Sequence, residues 1–163
     1  MPEHVLITGA AGFIASHLVD RLLSEGNHVT GLDNLIRGSK ANIGQALRNP
    51  NFQFLEADAA DPGALRVAVQ SAIAGGPISC VWHLAANSDI AAGVADPSID
   101  IRDTFLTTFH TLQIMREFDI PRIVFASTSA IYGSHSGLLV EETGPLFPIS
   151  SYGAMKLASE ASI

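Results

Sequence analysis

The 163 residues are 47% hydrophobic and only 15% charged, which excludes a disordered chain and supports one packed domain rather than two. A formal net charge of -7 with no Lys/Arg cluster speaks against a nucleic-acid partner, and no apolar stretch approaches bilayer length, so no membrane partner is expected. The single cysteine, Cys80, cannot form an intrachain disulfide, which suits a reducing, cytoplasmic setting.

Along the chain, short β-branched runs alternate with longer segments of helical spacing, the pattern of βαβ units stacked around a parallel sheet. A strand over 4–8 leads through a turn of small residues into a helix over 13–25, which Gly26 ends. A strand over 28–33, a helix over 40–48 and a strand over 52–57 follow. Asp61-Pro62 then opens a helix over 63–74. A strand over 79–85 leads to a long helix over 97–118, whose Phe105, Leu106, Phe109, Leu112 and Met115 form a stripe expected to face the sheet. Pro121 precedes a strand over 122–127, and a helix over 151–163 comes last. Between these two, residues 132–150 carry Gly133, Gly137, Gly144, Pro145 and Pro148. This long connection is expected to be functional or mobile and to cross the carboxyl ends of the strands. The fold class is therefore α/β, a Rossmann-type doubly wound parallel sheet, with residues 1–163 as one domain.

The turn between the first strand and helix is Thr8-Gly9-Ala10-Ala11-Gly12-Phe13-Ile14. Gly9 permits the tight turn, and Gly12 removes the Cβ that would meet a pyrophosphate. The opening of the helix presents unpaired N–H groups and a positive dipole end to that anion. Asp33 closes the second strand 24 residues after Gly9, where a carboxylate can accept hydrogen bonds from both ribose hydroxyls. That favours NAD over NADP. Arg37, a few residues on, could pair with a 2′-phosphate and keeps NADP in view.

Tyr152 and Lys156 stand at i and i+4, on one face of a helix. A cation beside a phenol favours the phenolate, which can take a proton from a substrate hydroxyl while hydride leaves the carbon. Upstream, Ser127-Thr128-Ser129 ends the fifth strand in hydroxyl residues, at the end of the sheet where open α/β folds bind ligands. Asn87, Ser88 and Asp89 follow the fourth strand at the same end, as cofactor or substrate contacts or as loop caps. His83, among apolar strand residues, reads as a hydrogen-bonded core histidine, and Trp82 as core packing. The six histidines include no i, i+4 pair and lie near no cysteine pair, so no metal site is expected.

With these residues the sequence resembles the extended short-chain dehydrogenase/reductase family, and within it the NAD-dependent epimerases and dehydratases of nucleotide-sugars. The likeness runs over the whole chain, through Thr8 to Ile14, Asp33-Asn34-Leu35, Asp58-Ala59, His83-Leu84-Ala85-Ala86, Ser127-Thr128, Tyr132-Gly133 and Tyr152 with Lys156. It implies NAD as cofactor, held by Gly9, Gly12, Phe13, Ile14, Asp33, Asn34, Arg37, Leu84, Ala85, Ala86 and Ala126. Asp58 and the Ala59 backbone would meet the adenine. Tyr152 would be the catalytic base, Lys156 would bind the nicotinamide ribose and lower the tyrosine pKa, and Thr128 would polarise the reacting oxygen. Ser88, Thr128 and Tyr152 would touch a nucleotide-sugar substrate.

The implied reaction is epimerisation, with hydride taken from a sugar carbon and returned to its other face. Where related dehydratases carry Asp-Glu after the hydroxyl residue, this chain has Ser129 and Ala130, which disfavours dehydration. The resemblance also implies a homodimer, and a sixth strand and substrate lobe that this chain does not contain. On that ground residues 1–163 are expected to form the truncated cofactor half, inactive alone, with the fifth strand as a bare sheet edge. A non-catalytic dinucleotide-binding fragment and a simple NAD(P)-dependent dehydrogenase or reductase are the alternatives.

Overall fold

A computed structural model describes residues 2–134, 137–141 and 144–163. Five parallel strands form one sheet in the order β3-β2-β1-β4-β5. They are β1 His4–Thr8, β2 His28–Asp33, β3 Phe52–Glu56, β4 Cys80–His83 and β5 Ile123–Phe125. β1 is central: Val5 pairs with Val29 on one side and with Cys80 on the other. Its side chains alternate between two cores. Leu6 packs with Leu32, Leu65, Val69, Val81 and Ile114, whereas Val5 and Ile7 pack with Val19, Leu23, Val29 and Ile43. Burial on both faces is why the strands read as nearly continuous apolar runs.

The helices cover the two faces. They are α1 Phe13–Ser24, α2 Pro62–Ile73, α3 Ile90–Ala95, α4 Pro97–Asp100, α5 Thr107–Glu117 and α6 Ser151–Ser162. Asp61 opens α2 by accepting from the Gly63 and Ala64 amides, with Pro62 in the first turn. Among the described residues no helix is long and apolar enough to cross a membrane.

The fold agrees with the expected α/β class, and most elements end within two residues of the expected positions. Three expectations need correction. The helix expected over 40–48 is a series of turns with one short 3-10 segment, Ala46–Arg48. Its residues are tied elsewhere, because the Ser39 amide and the Asn42 side chain both donate to the Ala11 carbonyl, at 3.0 and 2.8 Å. The short helix α3 was not foreseen.

The long helix runs from Pro97 to Glu117 but contains a π-helical segment, Ile101–Leu106, between α4 and α5. A π turn carries more residues than an α turn, so the helix face changes there. The buried face is Thr104, Thr107, Thr108, Thr111, Ile114 and Met115, and Phe109 of the expected stripe is 42% exposed. The threonines are tolerated inside because their hydroxyls donate to carbonyls a turn back, as from Thr111 to Thr107 at 2.7 Å. Behind them His83 is fully buried and hydrogen-bonded, as expected of a core histidine.

Candidate active site

The strand order reverses between β1 and β4, and beyond their carboxyl ends the sheet opens a cleft of about 730 Å³. Gly9 and Gly12 line its floor. Gly9 has φ +73, and a Cβ there would stand 3.0 Å from the Ala85 backbone nitrogen, so glycine is what lets the turn lie against the exit of β4. Gly12 caps α1 without any side-chain hydrogen bond. By contrast α2, α3, α4 and α6 are each capped by an Asp or Ser side chain. The first amides of α1 thus face the cleft unpartnered, and Phe13 and Ile14 beside them are 77% and 71% exposed. That is the chemistry a diphosphate fits.

Asp33 forms part of the next wall and is nearly buried. Its carboxylate accepts from the Ala11 amide at 3.0 Å and from the Leu35 amide at 2.8 Å. It therefore braces the glycine turn, and the remaining lone pairs can serve ribose hydroxyls. A Cβ on Gly38 would come within 2.8 Å of this carboxylate, a requirement for glycine that sequence reasoning missed. Asn34 and Arg37 also line the wall. Arg37 is drawn to the opposite side, where its Nη1 pairs with Asp89 Oδ2 at 3.2 Å.

Asp58 and Ala59 line the cleft beyond β3. Asp58 Oδ1 accepts from the Ala60 amide at 2.9 Å, and Oδ2 pairs with Arg102, which nothing in the sequence pattern singled out. Leu84, Ala85, Ala86 and Ser88 line the β4 side. The Leu84 and Ala85 amides both donate to Thr8 Oγ1 at 3.2 Å. Asn87 and Asp89 line the cleft and also structure this loop. The Asn87 amide group donates to buried Asp100 at 2.8 Å, and Asp89 caps α3.

Tyr152 and Lys156 enter the far end of the same cleft from α6, beside Ala126 and Ser127. Ser150 caps this helix, and its Oγ accepts from the Gly153 amide at 3.1 Å. Lys156 is only 2% exposed. Its Nζ donates to the Ala126 carbonyl at 2.7 Å and lies 4.6 Å from the Phe125 ring centroid. Thr128 Oγ1 accepts from the Ala130 amide at 3.2 Å, and its hydroxyl bonds the Tyr152 phenol.

Burial pushes the Lys156 ammonium down to about 8, with Glu160 opposing. Burial also raises the Tyr152 phenol above its ordinary value. The Thr128 hydrogen bond works against that rise, and Asp100 adds to it. In the chain by itself Lys156 is not among the groups that shift the Tyr152 phenol. The ammonium lies 5.9 Å from the tyrosine ring centroid and bonds the Ala126 carbonyl instead.

The connection over 132–150 departs from expectation. Its described residues do not line the cleft, and Leu138 and Phe147 are turned outward. His135, Ser136, Glu142 and Thr143 lie outside the described residues. Among the described residues no group of three His, Cys, Asp or Glu side chains could hold a metal ion.

Known proteins resemble this chain in sequence and fold. The sequence pattern of the NAD dependent epimerase/dehydratase family matches residues 5–163. A UDP-glucose 4-epimerase of Mycolicibacterium smegmatis is 34% identical over 156 residues, which are 95% of this chain and 48% of that protein. The solved structure of Thermus thermophilus UDP-glucose 4-epimerase in complex with NAD superposes with a TM-score of 0.86 at 36% identity, over 98% of this chain and 49% of that one. The UDP-Glc/GlcNAc 4-epimerase of Campylobacter jejuni gives 0.88 at 29% identity, over 98% and 47%. The chain thus spans about half the length of the relatives it matches. A match over nearly every residue, on the same fold, means that the chain belongs to the NAD dependent epimerase/dehydratase family.

Proposed function

We propose that residues 1–163 are the cofactor-binding and proton-transferring part of an NAD-dependent nucleotide-sugar 4-epimerase. The reading is carried by one observation: the uncapped start of α1, the Asp33 carboxylate and the Tyr152/Lys156 pair all line one cleft. A diphosphate would lie against the amides of Phe13 and Ile14, and the adenosine ribose would meet Asp33 and Asn34. The adenine would meet Asp58 and Ala59. Arg37, Leu84, Ala85, Ala86 and Ala126 would line the dinucleotide, and Lys156 would hold its second ribose. When bound, NAD would accept a hydride and give it back within one turnover.

The chain's own residues handle the proton. Tyr152 Oη would receive it from the substrate hydroxyl and return it. Thr128 is suited to assist, because its oxygen already accepts from the Ala130 amide and its own O–H is left to donate. Ser88, which lines the cleft, would touch the sugar. Ser129 and Ala130 supply no acid/base pair for elimination, which favours epimerisation over dehydration.

A homodimer contact through Phe105 and Phe109, whose rings stack 6.3 Å apart on a partly exposed face, belongs to the same proposal. So does a cytoplasmic setting, in keeping with the buried free thiol of Cys80. In the complete enzyme, with residues 1–163 joined to a substrate lobe, Tyr152→Phe is expected to keep NAD bound and to slow interconversion of the nucleotide-sugar epimers by at least about 100-fold. Undiminished turnover would remove Tyr152 from its role, and failure of the parent protein to bind NAD would remove the cofactor reading.

A further inference from the structure

Lys156 is an ammonium in a place that disfavours one. It is 2% exposed, and among the described residues no carboxylate forms an ion pair with it. Its one hydrogen bond goes to a neutral group, the Ala126 carbonyl. What lies closest otherwise is aromatic. Nζ stands over the Phe125 ring, 4.6 Å from its centroid, and 5.9 Å from the centroid of Tyr152. The face of such a ring is the negative end of its quadrupole and attracts a cation, most strongly where water is excluded.

Strand register puts the ring there. Phe125 ends β5 and pairs with His83, which ends β4, so both side chains leave the sheet on one face. Their rings lie 6.0 Å apart and nearly parallel, with 11° between planes. The imidazole is neutral at working pH, since burial and then the Lys156 charge lower its pKa to about 3. It therefore adds no repulsion beside the ammonium. On α6 itself Glu160 favours the charge. The other elements packed against α6 bring Asp100, Arg102, Asp103, His110 and Tyr132, and neither carboxylate among these pairs with Lys156.

We propose that Phe125 is a positioning residue whose ring face, set beside a neutral His83, holds Lys156 as a cation at the end of the cleft where Tyr152 stands. The contact is present without a ligand. That the held cation serves a dinucleotide rests on the function proposed above. Burial already brings the ammonium down to about 8, so one further unit decides whether it is charged at neutral pH.

The test reads Lys156 directly. In the complete protein, with lysine isotope-labelled at Cε, the Lys156 NMR signal is the one lost in Lys156→Arg, and its titration gives a protonation midpoint with no ligand present. The midpoint is expected near 8 in the parent. Phe125→Leu should lower it by about one pH unit, and Phe125→Tyr, which keeps the ring, should leave it within about 0.3 units of the parent. Pentafluorophenylalanine in place of Phe125 keeps the shape and drains the ring face. It should lower the midpoint as well, and it decides the matter if leucine disturbs the fold. A ring that only fills space would give the fluorinated protein the parent's midpoint, which would overturn the proposal. Calorimetric titration with NAD at several pH values should then show affinity breaking at each protein's own midpoint. A parent that binds no NAD would overturn the cofactor reading, and the midpoints would still decide the role of Phe125.

Discussion

Lowering the pH from 8 to 5 is expected to cost the folded chain about 2 kcal/mol through His83 alone. The ring is held neutral by the order of its hydrogen bonds. Thr8 Oγ1 already accepts from the Leu84 and Ala85 amides, so its own proton goes to His83 Nδ1, 2.8 Å away. Nε2 must then carry the ring's hydrogen and donate to Thr108 Oγ1 at 3.1 Å, while Thr108 donates to the Thr104 carbonyl. A second ring proton would meet a donor at Nδ1.

Burial, and secondarily the Lys156 charge, lowers the His83 pKa from its ordinary 6.5 to about 3. The sign follows directly. The unfolded chain takes up a proton near pH 6.5 and the folded chain does not, so the stabilisation is complete above 6.5 and declines as pH falls toward 3. Integrating that difference gives the loss of about 2 kcal/mol at pH 5. Two carboxylates, Glu3 held low by Arg122 and Asp96 held low by Ser98, also favour the fold only while ionised. They act below this window.

Denaturant unfolding of the parent and of His83→Gln at pH 8, 6.5 and 5 measures the difference. The variant is expected to start less stable and to lose about 2 kcal/mol less on acidification. An identical pH slope in the two proteins, or a His83 ring that titrates above about pH 5 by NMR, would refute the reasoning.

Gly9→Ala is expected to destabilise the fold by about 1–3 kcal/mol, since a side chain is strained at φ +73 and the new Cβ would press on the Ala85 backbone. A thermal melt reads this, together with weaker NAD binding. NAD affinity is expected to fall as pH rises through about 8, where the buried Lys156 loses its proton, and to stay nearly level over the same range in Lys156→Arg. Titrations between pH 6.5 and 9 check it, and a flat profile in the parent would count against a role for the ammonium.

The parts of this molecule that could be read from sequence are those governed by local rules. The turn from Gly9 to Gly12 needs small residues whatever surrounds it, and the β1 and β4 runs needed only two covered faces to be recognised as strands. What escaped depends on distant partners. Ser39 and Asn42 have acceptable helical spacing, but their donors are taken by the Ala11 carbonyl. The stripe from Phe105 to Met115 assumed an uninterrupted α-helix, and the π segment shifts the face so that threonines meet His83. Arg102 beside Asp58 and Gly38 against Asp33 are contacts between separate loops, with no periodic signal to announce them.

The electrostatics of the far end of the cleft show what the chain does with its proposed base when no ligand contributes. Tyr152 is held as a neutral phenol, because burial raises its pKa and the Asp100 charge adds to the rise. The Thr128 hydrogen bond opposes them without winning. The Lys156 ammonium donates a hydrogen bond to the Ala126 carbonyl, and burial lowers its pKa, so burial in this corner disfavours charge of either sign. A positive charge within a few ångströms would favour the ionised phenol. At an effective dielectric constant of about 20, a unit charge 4 Å away contributes about 4 kcal/mol, roughly three pKa units, in the direction opposite to burial. In the function proposed above, a cationic group bound in the cleft would favour the ionised form of Tyr152.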